Sequence, residues 1–116
     1  MQSEEIGGYA RLLRTIAHPI RLMILAKLMK GTKCVSDIRD LLEVSQPNVS
    51  QHLAVLKEKR LVACRKQGVS RCYYLARPRF VRELLVVLKG ASAERTAGEP
   101  GRKRTAAAAG RRPDAR

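Results

Sequence analysis

The sequence has very few aromatic residues and no long hydrophobic run. Aromatic residues make up 3% of the 116 positions, and tryptophan is absent. A small-molecule cleft lined by aromatic rings is therefore not expected. No apolar stretch approaches the ~20 residues that a transmembrane helix needs, so neither a membrane-spanning segment nor a membrane partner is expected. A chain of this length is typical of one domain, which excludes a multidomain enzyme.

Acidic residues are scarce relative to basic ones. The chain has 24 Lys and Arg against 10 Asp and Glu, a formal net charge of +14. Residues 90–116 hold seven basic and three acidic side chains and almost no large apolar ones, so we expect a disordered basic tail there. Residues 1–89, the predicted folded domain, keep a charge of +10. Such a domain favours a polyanion as partner, although a solvated basic surface without a specific partner is the simpler alternative.

Cysteine is also scarce, with three residues at Cys34, Cys64 and Cys72. The first ten residues are acidic and lack the apolar segment of a secretory signal. A cytoplasmic location is therefore expected. There the three thiols would stay reduced unless they have a redox or metal-binding role.

Apolar spacing predicts a mainly helical fold with one β-hairpin. Helices are expected over 4–17, from Pro19 to a stop at Gly31, from an N-cap at Ser36 to about residue 43, and from an N-cap at Ser45. Two short strands, 61–67 and 70–76, then flank Gly68 as a basic hairpin. A last helix, rich in Leu and Val, is expected to close at Gly90.

The third and fourth predicted helices have the spacing of a helix-turn-helix. The fourth helix directs Val49, Leu53 and Leu56 inward and leaves a polar outer face. Short amide and hydroxyl side chains near a helix N-terminus can reach base edges in the major groove, and Asn or Gln can pair with adenine. The candidate DNA-binding residues are Ser45, Gln46, Asn48, Ser50, Gln51 and His52 on this helix. Arg65, Lys66, Gln67 and Arg71 on the hairpin are candidates for contacts with phosphate or the minor groove.

The stretch SQPNVSQHLAVLKEKRLV, followed by ACRKQGVSRCYYL, resembles the ArsR/SmtB family of winged helix-turn-helix repressors, and AHPIRLMILAKLMKG resembles their second helix. The resemblance implies a homodimer that pairs through its terminal helices. It further implies an operator that is an imperfect inverted repeat, released when an effector binds. Arg60 departs from the family, because many relatives have glycine after the recognition helix. The helix must then be capped differently or accept strain.

Members of this family often sense metals or metalloids through thiolates, in the pattern Cys-Val-Cys-Asp-Leu-Cys at the start of the third helix. Here Cys34-Val35-Ser36-Asp37-Ile38-Arg39 keeps only the first thiol, and one thiolate cannot form a three-coordinate soft-metal site. The zinc-type pattern needs Asp, His and Glu on the last helix. That helix has no histidine and one acid, Glu83, so no zinc site is expected. His18 and His52 are not at ligand spacing, and His52 is interpreted as a packing or phosphate contact.

The three cysteines leave three alternatives open. If the hairpin turn is a three-residue loop centred on Gly68, Cys64 and Cys72 are direct cross-strand neighbours, whereas a one-residue slip puts them on opposite faces. Winged folds commonly pair the segment before the third helix with the hairpin, which would bring Cys34 near. Three thiolates would suit arsenite or another soft metal ion, two would suit a disulfide or polysulfide switch, and buried thiols would be inert.

These patterns predict a DNA-binding transcriptional repressor that is released from its operator by a thiol-reactive effector, namely arsenite, another soft metal ion, a persulfide or an oxidant. The alternative is a constitutive or architectural nucleic-acid-binding protein with inert cysteines. An enzyme is not expected, since the sequence offers no glycine-rich phosphate loop and no nucleophile–base arrangement.

Overall fold

The computed structural model describes residues 1–97, with Gln46 and residues 95–97 described by their backbone alone. Residues 1–83 form one compact unit, and a second begins at Leu84 within the last helix. The fold is mainly helical with a small antiparallel sheet, as predicted. Its elements are α1 (Ser3–Ile16), α2 (Pro19–Leu28), β1 (Lys33–Cys34), α3 (Val35–Leu42), α4 (Gln46–Glu58), β2 (Val62–Gln67), β3 (Ser70–Leu75) and α5 (Pro78–Ala97).

The helix starts follow from local capping. Before α2, the Ile20 N–H donates to His18 Nδ1 at 3.1 Å, and Pro19 already has the backbone angle of a first helical turn. Before α4, the Asn48 N–H donates to Ser45 Oγ at 3.4 Å, which confirms the predicted cap. The predicted cap at Ser36 is wrong. The N-cap of α3 is Cys34, because this helix begins directly after the last paired residue of β1.

Two helices end on a non-glycine residue in the left-handed backbone region, at Glu43 (φ 56°) and Arg60 (φ 61°). At the second site the Leu61 N–H donates to the Leu56 carbonyl at 3.0 Å, and the Arg60 N–H donates to the Lys57 carbonyl at 2.9 Å. This is the hydrogen-bond pattern of a Schellman cap, which usually places glycine at the left-handed position. Arg60 therefore accepts strain to make the same turn, one of the two outcomes that the sequence predicted.

The sheet has the strand order β1-β3-β2 and is antiparallel throughout. Gln67 pairs with Ser70, so the turn holds two residues, and Gly68 adopts the positive φ of 64° that its first position requires. Of the two registers left open by the sequence, the structure has the one that differs by one residue from a three-residue loop. Cys64 therefore lies opposite Tyr73, and Cys72 lies opposite Arg65.

The core of residues 1–83 lies where α2, α3 and α4 meet the sheet. The apolar side of α4 is fully buried, as predicted, and each neighbouring element contributes at least one side chain. The buried apolar residues in this core include Ile24, Leu25, Ile38, Val49, Leu53, Leu56, Leu61, Val62 and Val81. This packing fixes which side of α4 is left for solvent.

The last helix is longer than the sequence indicated. It passes through Gly90 and covers Pro78–Ala97, up to the last described residue, so the predicted end at Gly90 is wrong. The alanines around this glycine are strong helix formers, which offsets its unfavourable propensity. Residues 98–116, the rest of the predicted tail, lie outside the described part, and the division at residue 89 stays a prediction. None of the helices within residues 1–97 is both long enough and apolar enough to cross a membrane.

Candidate nucleic-acid interface

The outer face of α4 is polar and open to solvent. Asn48, Ser50 and Gln51 are exposed, whereas Val49 and Leu53, on the inner side of the same turns, have no exposed surface. Three of the predicted base-reading residues, Asn48, Ser50 and Gln51, therefore lie on the exposed side of the first two turns. A helix presented in this way can enter a major groove with its amides against base edges.

A short turn connects α3 to α4 and fixes their crossing. Glu43 ends α3 in the left-handed region, with its N–H donating to the Arg39 carbonyl at 2.8 Å. Ser45 then caps α4, and Ile38 of α3 is fully buried. The two helices thus form the helix-turn-helix that the sequence predicted, with α4 as its exposed member.

The hairpin of β2 and β3, called the wing below, carries a cluster of exposed cations. Lys66 lies directly opposite Arg71 in the register, and Arg65 places its guanidinium carbon 5.4 Å from the centroid of the Tyr74 ring. Like charges in directly opposed positions repel each other, so this pair favours a bound anion between or beside the two side chains. A phosphate group of a nucleic acid would meet that requirement.

A polar cluster that the sequence did not predict lies under α4. His52 Nδ1 accepts a hydrogen bond from Arg21 Nε at 3.1 Å, Arg21 Nη1 donates to the Thr15 carbonyl at 2.9 Å, and the His18 ring centroid is 4.4 Å from that of His52. Burial, with the nearby charges of His18 and Arg21, lowers the pKa of His52 from its usual 6.5. His52 therefore packs against α2 as a neutral acceptor, and its contact with phosphate stays a prediction. No sequence pattern links these residues, because they meet only through tertiary packing.

Two of the three cysteines are joined. Cys34 and Cys72 are partners in the β1–β3 register and form a disulfide with an S–S distance of 2.02 Å. The suggestion that the segment before α3 approaches the hairpin as a third strand is therefore confirmed. Cys72 has no exposed surface, whereas Cys34 is partly exposed.

Cys64 is a free thiol in a separate environment. Its Sγ accepts a hydrogen bond from Arg71 Nη1 at 3.7 Å. Burial alone would raise the pKa of Cys64, but hydrogen bonds and charge from Arg71 and Lys57 outweigh it, so the pKa is lowered. Of the two alternatives for Cys64 and Cys72, the structure has the second: they are not cross-strand neighbours and point to opposite faces of the sheet.

A three-thiolate site for arsenite or another soft metal ion does not fit this arrangement. Two of the thiols are joined to each other, and the third points away from them. Across residues 1–97, no group of three or more His, Cys, Asp or Glu side chains is placed to hold a metal ion. The cysteine chemistry that the structure offers is that of a disulfide pair and one separate thiol.

Comparison with known proteins places the chain among bacterial and archaeal regulators. The sequence pattern of a family described as "Bacterial regulatory protein, arsR family" matches residues 18–63. The HTH-type transcriptional repressor SmtB of Mycobacterium tuberculosis is 38% identical over 73 residues, covering 63% of this chain and 54% of that protein. The chain thus spans about half the length of this relative.

Two further proteins match over nearly their whole length. The uncharacterised HTH-type transcriptional regulator MJ1325 of Methanocaldococcus jannaschii is 39% identical over 83 residues, covering 71% of this chain and 92% of that protein. The crystal structure of Rv0081 from M. tuberculosis superposes with a TM-score of 0.75 at 28% identity, covering 84% of this chain and 97% of the other. Together with the helix-turn-helix and wing described above, these matches show that the chain belongs to the ArsR/SmtB family of winged helix-turn-helix transcriptional regulators.

Proposed function

We propose that this protein is a homodimeric repressor that binds double-stranded DNA through α4 and the wing. The observation that carries the proposal is the contrast between the two sides of α4. Val49, Leu53 and Leu56 on its apolar side are fully buried, whereas Asn48, Ser50 and Gln51 on its polar side are exposed. SmtB, one of the relatives above, is named a transcriptional repressor. Membership in a family of regulators also agrees with the expectation that the chain is not an enzyme.

Each part of the surface has a separate role in this proposal. Asn48 and Gln51 read base edges in the major groove, with Gln46 and Ser50 beside them. Ser45 and the first backbone N–H groups of α4 bind phosphate. The wing cations contact the adjacent backbone or minor groove, and they supply affinity without sequence information.

The dimer is proposed from an apolar stripe on α1. Ile6, Tyr9 and Leu13 are each about half exposed, at 48%, 49% and 55%, and their spacing puts them on one side of the helix. A second copy of the chain related by a two-fold axis would cover this stripe. The two α4 helices of such a dimer would then meet two half-sites of an inverted repeat, roughly 34 Å apart.

We further propose that DNA release depends on thiol chemistry at Cys34 and Cys72. Cys34 is both the end of β1 and the N-cap of α3, and Cys72 lies in the central strand of the sheet. The disulfide therefore connects the helix-turn-helix directly to the wing. A persulfide, an oxidant or a reductant would act on such a pair, whereas a three-coordinate metalloid would lack its third thiolate.

The DNA-binding proposal is tested with the full chain and a duplex selected from a random-sequence library. Fluorescence anisotropy at several salt concentrations compares the selected duplex with random competitor. The Asn48→Ala/Gln51→Ala double variant should lose its preference for the selected duplex, while Thr32→Ala, an exposed neutral position outside α4 and the wing, should keep it. Equal competition by random duplex against the unmodified chain would overturn the proposal and favour the architectural alternative.

The thiol response is tested by adding arsenite, a persulfide or an oxidant to the reduced protein–DNA complex. We expect release with the persulfide or the oxidant, weak or no release with arsenite, and no release of Cys34→Ser by any of them. If the Cys34→Ser variant is released from DNA as readily as the unmodified chain, the response does not depend on the Cys34–Cys72 pair.

A further inference from the structure

A cavity of about 310 Å³ lies where the start of α3, the outer face of α4 and the tip of the wing meet. Its lining includes Cys34, Ser36, Ser50, Ser70 and Arg71. We propose that this cavity binds a low-molecular-weight thiol carrying a carboxylate, and that Cys34 forms a mixed disulfide with it.

The lining suits an anionic, hydrogen-bonding ligand. Among the described residues of the lining, Arg71 is the one that carries a charge, and three serines line the same space. A guanidinium can hold a carboxylate with two parallel hydrogen bonds, and hydroxyls can donate to or accept from peptide-like groups. The volume falls at the lower end of the range for small-molecule sites, which fits a molecule the size of a tripeptide.

The two sulfur atoms of the disulfide differ in access. Cys34 lines the cavity and is partly exposed, whereas Cys72 is fully buried and is not part of the lining. An incoming thiolate therefore attacks Cys34 Sγ. The new bond joins the ligand sulfur to Cys34 Sγ, the Cys34–Cys72 bond breaks, and the electron pair leaves on Cys72 Sγ, which takes up a proton.

The reverse reaction restores the starting state. The Cys72 thiolate attacks Cys34 Sγ in the mixed disulfide, and the small thiol leaves with the other electron pair and a proton. The starting disulfide itself forms from the two thiols and a low-molecular-weight disulfide, which is reduced to two small thiols. The occupancy of the cavity thus follows the ratio of small thiol to small disulfide around the protein.

The consequence for DNA rests on the proposed function. A group attached to Cys34 fills the space between Ser50 of α4 and Arg71 of the wing, two of the proposed DNA contacts. The attached group would keep the DNA backbone away from the space between α4 and the wing. It would also occupy the Arg71 guanidinium, which would otherwise bind a DNA phosphate. Formation of the mixed disulfide should therefore weaken DNA binding relative to the fully reduced protein.

Reduced glutathione is a suitable probe, with cysteamine as the matched thiol that carries an amine in place of carboxylates. The full chain is used in a Cys64→Ser background to remove the separate thiol. After alkylation of free thiols, intact mass and peptide mapping should show one glutathionyl group, located on Cys34. The rate with glutathione should exceed that with cysteamine by roughly tenfold, the scale of electrostatic steering. Arg71→Gln should remove most of this preference, and Arg65→Gln, an equal charge loss outside the cavity, should keep it.

Two further cysteine variants locate the reaction. With oxidised glutathione, Cys72→Ser should hold a stable adduct on Cys34, because it lacks the thiol that reverses the reaction. Cys34→Ser should give none, with circular dichroism confirming that it is folded.

The proposed site would be overturned by an adduct on Cys72, by the absence of any adduct, or by equal rates for glutathione and cysteamine. An adduct on Cys34 that leaves DNA affinity unchanged would overturn only the effect on DNA. Failure of the unmodified chain to prefer any duplex would overturn the proposed function without bearing on the adduct.

Discussion

The imidazole rings of His18 and His52 lie with their centroids 4.4 Å apart and their planes tilted by 47°. One ring caps the start of α2, and the other belongs to α4, the helix whose outer face is proposed to read DNA. Arg21 donates to the second ring, so the position of α4 is tied to α2 through polar contacts as well as through the apolar core. This contact makes the stability of the domain depend on pH.

Acidification should destabilise the protein through His52. Its folded-state pKa lies below the usual 6.5 because of burial and the neighbouring His18 and Arg21. Between about pH 6.5 and this lowered pKa, the unfolded chain therefore binds more protons than the folded chain. The contribution of neutral His52 to the free energy of unfolding is complete above about pH 6.5 and is lost as the pH falls through the lowered pKa. Urea unfolding at pH 7.5 and 5.5 measures the loss.

His52→Gln should show a smaller difference between the two pH values, since glutamine can accept from Arg21 without titrating. Thr32→Ala should keep the full difference. A free energy of unfolding that rises between pH 7.5 and 5.5 in the unmodified chain would contradict this account of His52.

Arg60→Gly should stabilise the protein. Arg60 holds φ at 61°, and a non-glycine residue in that region costs on the order of 1 kcal/mol. Glycine adopts the same turn without this cost, but it also increases the entropy of the unfolded chain, which costs about 0.5 kcal/mol. We therefore expect a net gain of about 0.5 kcal/mol in the free energy of unfolding, measured by urea denaturation. Lys59→Gly, at the preceding residue with φ of −86°, should instead lose about 0.5 kcal/mol, because glycine there adds only entropy to the unfolded chain.

Leu13→Glu should prevent dimer formation. Leu13 is 55% exposed on the apolar stripe of α1, and a carboxylate there would be buried without a partner in the proposed interface. Sedimentation velocity at micromolar concentration should give the mass of one chain. Leu41→Glu, at a similarly exposed leucine on α3 (50%), should remain a dimer. A Leu13→Glu variant that stays dimeric would show that the interface is not on this stripe, and a monomeric unmodified chain under these conditions would overturn the proposed dimer.

Reducing the disulfide should lower stability by roughly 4 kcal/mol. The bond closes a loop between residues 38 positions apart, and a cross-link over such a loop restricts the unfolded chain by about that amount. Urea unfolding with and without a phosphine reductant measures the difference. Cys64→Ser should keep the response to the reductant, and Cys34→Ser should have none. A response that survives in Cys34→Ser would show that another bond is being reduced.

Lys66→Ala should reduce the salt dependence of DNA binding without changing sequence preference. Lys66 is exposed on the wing opposite Arg71, and loss of one phosphate contact lowers the slope of log affinity against log salt by about one. Lys30→Ala, an exposed lysine just after α2, should leave the slope unchanged. A loss of sequence preference in Lys66→Ala would instead indicate that the wing reads bases.

The sequence was sufficient for most of the local structure. The period of the apolar residues placed the helices and strands, Ser45 was correctly identified as the cap of α4, and the inward side of α4 at Val49, Leu53 and Leu56 is buried as predicted. These features depend on short-range preferences that a stretch of ten to fifteen residues already contains. At Arg60 the sequence left two alternatives, a different cap or strain, and the left-handed φ of 61° shows that strain is the outcome.

Where several elements meet, the sequence was not sufficient. A turn of two residues rather than three moved Cys64 to the opposite face of the sheet from Cys72, since side chains alternate along a strand. The disulfide between Cys34 and Cys72, the cavity beside it and the contact of His18 with His52 all join residues far apart in the chain. Composition and apolar periodicity were enough to identify a basic helix-turn-helix domain with a hairpin. Only tertiary packing decided which cysteines meet and which histidine supports α4, because those distances depend on strand register and helix crossing, which no local pattern encodes.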